Sequence, residues 1–255
     1  MRTIRPLALS AILVAAVAVS DAAPDDARPA PAHKLVVIDP GHGGSNAGTH
    51  APARSNAVPP IHEKELTLAI ANQVADRLRA DGITVEMTRT GDRTLTLRQR
   101  VARADELDAD LFISIHANAS PTRTQHGYET YVLTPRGVDV DARALRGDTR
   151  TTRPAGVDAE MGALLDDVER ASTQWESADL AARMQHALRD RRGKDGDRGV
   201  RQDAHHVLLG ATMPAVLVEV GFLDHPIEGK ELVDPVVQSQ IADALAQAIE
   251  EQLDD

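Results

Sequence analysis

Val36-Val37-Ile38-Asp39-Pro40-Gly41-His42-Gly43-Gly44 sets a pattern that the chain repeats: a short apolar strand that ends on a histidine. Leu35 to Ile38 is apolar and rich in β-branched residues, which reads as a buried strand. Asp-Pro-Gly cannot continue that strand, and two more glycines follow. His42 is therefore carried in a tight turn at a strand's exit, where a rigid scaffold presents metal ligands and catalytic groups. A glycine-rich turn with a solvent-facing histidine looks the same in isolation. Partners further along the chain separate the two readings.

Downstream, Ile61-His62-Glu63-Lys64-Glu65-Leu66-Thr67-Leu68-Ala69-Ile70-Ala71 opens a helix with apolar residues at 66, 70, 74 and 78, closed by Asp81-Gly82. The helix entrance offers His62, Glu63 and Glu65 as polar groups, and periodicity does not choose among them. Ile83 to Thr88 alternates as a strand, and Leu97 to Leu107 is a second amphipathic helix. Leu111-Phe112-Ile113-Ser114-Ile115 is a central-strand run that ends in His116-Ala117-Asn118, giving His116 the same placement as His42. This alternation predicts a single α/β domain with a mostly parallel central β-sheet flanked by helices on both faces. In such sheets sites form beyond the carboxyl ends of the strands.

Gly127 to Leu133 is a further strand. Residues 134–174 read as an insertion, with helical signal returning at Met161 to Val168 and again at Leu180 to Leu188. Gly193 to Gly199 reads as a charged loop, Val207 to Leu209 and Ala215 to Val220 as strands, and Val236 to Leu253 as a closing helix. Glu219 interrupts the apolar run Ala215-Val216-Leu217-Val218-Glu219-Val220. A carboxylate placed there must be paired, metal-bound or hydrogen bonded, or face outward on an edge strand.

The 255 residues can bury one substantial core, and 42% apolar with 26% charged residues is a globular composition. Five aromatics and a net charge of −11 argue against nucleic-acid binding. The absence of cysteine excludes disulfides, thiolate metal sites and cysteine nucleophiles, so any metal must be held by His, Asp or Glu. Arg2 and Arg5 before an apolar run from Leu7 to Val19 match a secretory signal peptide, with cleavage expected after Ala22. Residues 23–33 are a proline-rich linker, and the domain is expected over 34–255. The protein is thus expected to be periplasmic or secreted, with no membrane attachment after cleavage.

Two histidines and one glutamate are a ligand set of catalytic zinc sites, which keep a position open for water. Zinc makes a hydroxide nucleophile available near neutral pH. A nearby carboxylate outside the ligand set can move the proton. That chemistry suits amide hydrolysis, and no Gly-x-Ser-x-Gly elbow supports a covalent route.

Val36 to Gly44, Glu63-Lys64-Glu65-Leu66-Thr67-Leu68-Ala69-Ile70-Ala71, Thr88-Arg89-Thr90-Gly91-Asp92-Arg93, Ala109 to Asn118 and Met213 to Leu223 together resemble the zinc-dependent N-acetylmuramoyl-L-alanine amidases, the cell-division type of cell-wall amidase. The resemblance runs from about residue 34 to 253. It implies hydrolysis of the amide between the lactyl group of N-acetylmuramic acid and the first L-alanine of the peptidoglycan stem peptide. Carried over by position, it implies His42, Glu63 and His116 as zinc ligands and Glu219 as the catalytic carboxylate, choosing Glu63 over His62 and Glu65. It also places 134–174 where relatives carry a helix that blocks the metal, with Asp148 or Glu160 as candidate blocking groups and a protein activator as the partner that would remove them; an unregulated surface loop is the alternative. The turn departs from the family at Ser45-Asn46-Ala47-Gly48, expected to affect loop shape and not ligation. Phe222-Leu223-Asp224-His225-Pro226 adds His225, read as a surface residue, and the remaining histidines are assigned no role. The alternatives are a zinc peptidase acting within the stem peptide and a non-catalytic wall-binding or activator protein of the same fold.

Overall fold

Backbone hydrogen bonds of the Leu35–Pro40 strand are shared with two parallel neighbours, which places it inside a sheet as its apolar run requires. The computed structural model describes residues 34–53, 59–133, 159–203 and 206–255, all within a compact unit His33–Asp255. The expected signal peptide, the linker, and residues 134–158 of the insertion, including Asp148, lie outside the described residues.

In chain order the elements are β1 (Leu35–Pro40), α1 (Glu63–Ala80), β2 (Thr84–Met87), α2 (Leu97–Glu106), β3 (Leu111–Asn118), β4 (Tyr128–Leu133), α3 (Ala159–Arg192), β5 (Asp197–Asp203), β6 (Ala215–Phe222), α4 (Glu228–Leu232) and α5 (Pro235–Leu253). The sheet order is β2-β1-β3-β6-β4-β5. All pairings are parallel except β4 with β6.

Alternation along the strands divides two cores. Val36, Ile38, Ile113, Ile115, Val216 and Val218 face the larger one, packed under α1, α3 and α5. Val37, Phe112 and Leu217 face the smaller one, covered by Val101 and Ala104 of α2 and by Val207 and Leu208. That second face carries polar side chains toward the carboxyl ends of β1, β3 and β6. Asp39 sits opposite Ser114, and His116 opposite Glu219. Glu219 in turn is opposite Glu129 across the antiparallel β4–β6 ladder.

The two helical signals expected between 161 and 188 form one helix, α3, of 34 residues, about 51 Å at 1.5 Å per residue. Leu180, Met184 and Leu188 make its buried stripe, whereas Val168 and Trp175 are exposed. Val207 to Leu209 is not a strand: His206–Leu208 is a 3-10 turn whose apolar side chains plug the smaller core. Conversely, the charged segment expected as a loop after Gly193 runs into β5, a polar strand at the sheet edge.

Candidate metal centre and its surroundings

His42 leaves β1 in a left-handed backbone conformation, φ +60°, a strained state for a residue with a side chain. Buried polar groups hold it there. Arg100 donates to Asp39 Oδ1 (2.7 Å) and to the carbonyls of Pro40 (2.9 Å) and His42 (2.6 Å). Arg89 donates to the carbonyls of Pro40 and Gly41 and to Lys64 O at the start of α1. Asp39, fully buried, also accepts from Thr88 and Ser114. The carbonyls of Pro40, Gly41 and His42 and both Asp39 carboxylate oxygens are thereby met by donors, as buried acceptors require.

Glu63 is the first residue of α1, where a carboxylate is favoured by the helix dipole. Its Oε2 accepts from Thr49 N (3.0 Å) and its Oε1 from Ala117 N (3.0 Å). The same Oε1 lies 2.9 Å from His42 Nε2 and 3.0 Å from His116 Nδ1. Among the described residues this trio is the one cluster of three ligand-type groups, its atoms all within 4.8 Å of one another. The neighbours at the helix entrance are used otherwise: Glu65 Oε2 accepts from His62 N (2.9 Å), closing the helix end. Gly41 is glycine for a steric reason, since a Cβ there would lie 2.5 Å from the His116 ring.

Asn46, unremarked as a functional residue from sequence, fixes the His42 ring. Its Oδ1 accepts from Gly48 N (3.3 Å) and faces His42 Nδ1 at 2.9 Å. An oxygen there makes Nδ1 the protonated nitrogen and leaves Nε2 as the lone pair in the neutral ring. The departure at Ser45 to Gly48 thus bears on the orientation of the candidate ligand His42 and not only on loop shape. A neutral Nε2 facing a carboxylate oxygen is repulsive unless a proton or a cation lies between them. The donor set therefore fits a divalent metal: two imidazoles and a carboxylate, one imidazole oriented by a hydrogen bond to its other nitrogen. The 2.9 and 3.0 Å separations are close to the roughly 3.3 Å expected between ligands sharing one tetrahedral zinc.

Without a metal, the protons redistribute accordingly. Burial alone would raise the Glu63 pKa, but hydrogen bonds and charge from His116 and His42 outweigh it and bring it down to about 2. Burial likewise opposes the His42 charge, and Glu63 and Asn46 outweigh it, so its pKa is raised.

Glu219 lies on β6 opposite His116. Its Oε2 is enclosed and has no hydrogen-bond partner among the described residues. Desolvation, then the charges of Glu63 and Glu129, push its pKa well above the ordinary carboxylate range. Glu129, not singled out from sequence, is fully satisfied by Asn118, Tyr131 and Arg198. His225 is kept apart from this cluster; its Nδ1 accepts from Ile227 N and Glu228 N at the start of α4.

The fold and this sheet-end cluster define an α/β enzyme with a candidate metal centre and a poised carboxylate beside it. The chain matches the N-acetylmuramoyl-L-alanine amidase family over residues 36–251 and belongs to that family. It is 33% identical to the N-acetylmuramoyl-L-alanine amidase AmiA of Salmonella typhimurium, over 85% of this chain and 75% of that one. Among solved structures it resembles the catalytic domain of the amidase CwlV of Paenibacillus polymyxa, with 31% identity and TM-score 0.60 over 87% and 98% of the two chains. It also resembles an N-acetylmuramoyl-L-alanine amidase of Clostridium difficile 630, with 28% identity and TM-score 0.65 over 87% and 97%.

Proposed function

We propose that this amidase cleaves the bond between the N-acetylmuramic acid lactyl group and the first L-alanine of the stem peptide, with zinc held by His42, Glu63 and His116 and Glu219 as general base and acid. The observation that carries the reading is the enclosed, unpartnered Oε2 of Glu219 next to three converging ligand groups. Bound there, zinc supplies Lewis acidity toward the amide carbonyl and acidifies water. Glu63 and the two imidazoles hold the cation, and Asn46 keeps the His42 ring in the ligating tautomer. Glu219 accepts the proton of the attacking water. It then returns that proton to the alanine nitrogen, so the leaving group departs as a neutral amine.

The site of action is proposed to be the extracytoplasmic cell wall; no helix among the described residues is long and apolar enough to cross a membrane. Digestion of purified sacculi by the zinc-loaded protein, with mass analysis of the products, tests the reading. Intact stem peptides with a free alanine amine are expected, and a chelator should abolish their release. Cleavage within the stem peptide would replace the amidase reading by a peptidase one, and chelator-insensitive release would remove the metal.

A further inference from the structure

β5 is a polar edge strand, and the ladder joining it to β4 is irregular. Tyr128 pairs with Asp197 but Thr130 pairs with Val200, so three steps on β5 match two on β4. The extra residue makes a bulge, and Gly199 there has φ +78°, a conformation that glycine adopts without strain. In a regular strand, residues three apart point to opposite faces. The bulge cancels that alternation and brings Arg198 and Arg201 to the same face and the same carboxylate oxygen. Arg198 Nε lies 2.8 Å and Arg201 Nε 3.3 Å from Glu129 Oε2.

These two arginines differ in what they have left to offer. Arg198 is held by Gln125 (3.1 Å) and stacked over the Phe222 ring, its guanidinium carbon 4.9 Å from the centroid. Arg201 makes one contact through Nε, its terminal nitrogens have no partner among the described residues, and its side chain is 47% exposed. Glu129 has no capacity to spare, because its other oxygen is taken by Asn118 and Tyr131. Two guanidiniums thus face one saturated carboxylate. Among the described residues this leaves one guanidinium without a carboxylate of its own, and the planar donor edge that carries it is about half exposed. Such an edge recognises a carboxylate.

We propose that Arg201, with Arg198 beneath it, is the binding site for a carboxylate of the stem peptide, on the amine side of the scissile bond. The proposal rests on the function proposed above and adds a subsite to it. Position supports it. His116, Glu219 and Glu129 pair in a row across β3, β6 and β4, and Arg201, whose backbone on β5 pairs with Tyr131, reaches back with its side chain to Glu129. Glu219 delivers a proton to the leaving nitrogen, so the peptide released with that nitrogen lies on the β4–β5 side, away from His42 and Glu63. From β6 to β5 is two strand spacings, about 10 Å. An extended peptide advances about 3.4 Å per residue, which puts the recognised carboxylate on the second or third residue of the stem.

The test uses two N-acetylmuramoyl tripeptides, one with its carboxylates free and one with them converted to carboxamides. Wild-type, zinc-loaded protein should show a KM about tenfold lower for the free acid, an ordinary value for one charge-assisted pair. Arg201→Gln should bring the two KM values within about twofold, and Arg201→Lys, which keeps the charge but not the planar edge, should retain only part of the preference. Calorimetric titration of the released free-acid tripeptide should show a Kd about tenfold weaker for Arg201→Gln, a readout independent of turnover. Equal KM values for the two substrates in wild type would overturn the subsite. So would an equal fall in kcat on both substrates in Arg201→Gln, because that pattern belongs to a residue that only positions Glu129. A wild type that releases no alanine amine from either tripeptide would instead sink the amidase reading, and the subsite with it.

Discussion

Glu219 holds an enclosed carboxyl oxygen, Oε2, that has no hydrogen-bond partner among the described residues. Desolvation is the first reason that its pKa is raised, with Glu63 and Glu129 adding to it. An acid whose pKa is higher folded than unfolded costs stability once the pH exceeds its unfolded value, about 4.3. Between that pH and its folded pKa the native state binds the extra proton, and stability falls as pH rises. Glu219→Gln removes the cost while nearly keeping the shape. In metal-free protein the variant should therefore melt at a higher temperature than wild type at pH 7, with the gain vanishing near pH 4. On sacculi the same variant should lose roughly 10²–10⁴-fold in rate, the usual contribution of a general base. Thermal melts at the two pH values, beside a release assay, check both arms. A variant less stable than wild type at pH 7 would show that the carboxylate is stabilised by something other than the described residues.

Elements matter here through their ends. β1 delivers His42 only because Arg89 and Arg100 gather the carbonyls of Pro40, Gly41 and His42. Arg100→Ala would leave Asp39 buried without its ion pair and strip donors from the turn. Breaking one side of a buried pair costs about 3–5 kcal/mol, so a loss of that size is expected in chemical denaturation at pH 7. An unchanged midpoint would mean that the turn holds itself. The strands that carry candidate site residues were legible in sequence because each sets a polar group against an apolar run: His42 and His116 at the exits of β1 and β3, and Glu219 within β6. The stripe Leu66, Ile70, Val74, Leu78 gave α1 in the same way. β5 was not legible, since a strand held by ladder bonds at an exposed edge needs no apolar side chains. Val207 and Leu208 misled for the opposite reason: apolar residues entered a core from a turn. Arg89, Arg100 and Asp39 were hidden because their partners lie tens of residues away, and nothing local marks a buried ion network.

At the scale of the whole molecule, the candidate centre ties β1, α1 and β3 together, so its occupancy bears on the stability of the entire sheet end. In metal-free protein the cluster stabilises itself over a limited range. Glu63, with its pKa lowered to about 2, contributes fully above its unfolded value, and the contribution is lost as pH falls toward 2. His42, with its pKa raised, contributes fully below its unfolded value near 6.5, and the contribution is lost as pH rises through its folded pKa. The two coincide only between about pH 4.5 and 6.5. A divalent ion needs the imidazoles neutral, so its affinity rises with pH, and a ligand that binds only the native state stabilises by mass action. The two terms are complementary: metal takes over where the proton leaves. The difference in Tm between zinc-loaded and chelated protein should therefore be small at pH 5.5 and increase steadily to pH 8. A difference that is flat across this range would mean that zinc does not compete with the His42 proton, and so that His42 Nε2 is not one of its ligands.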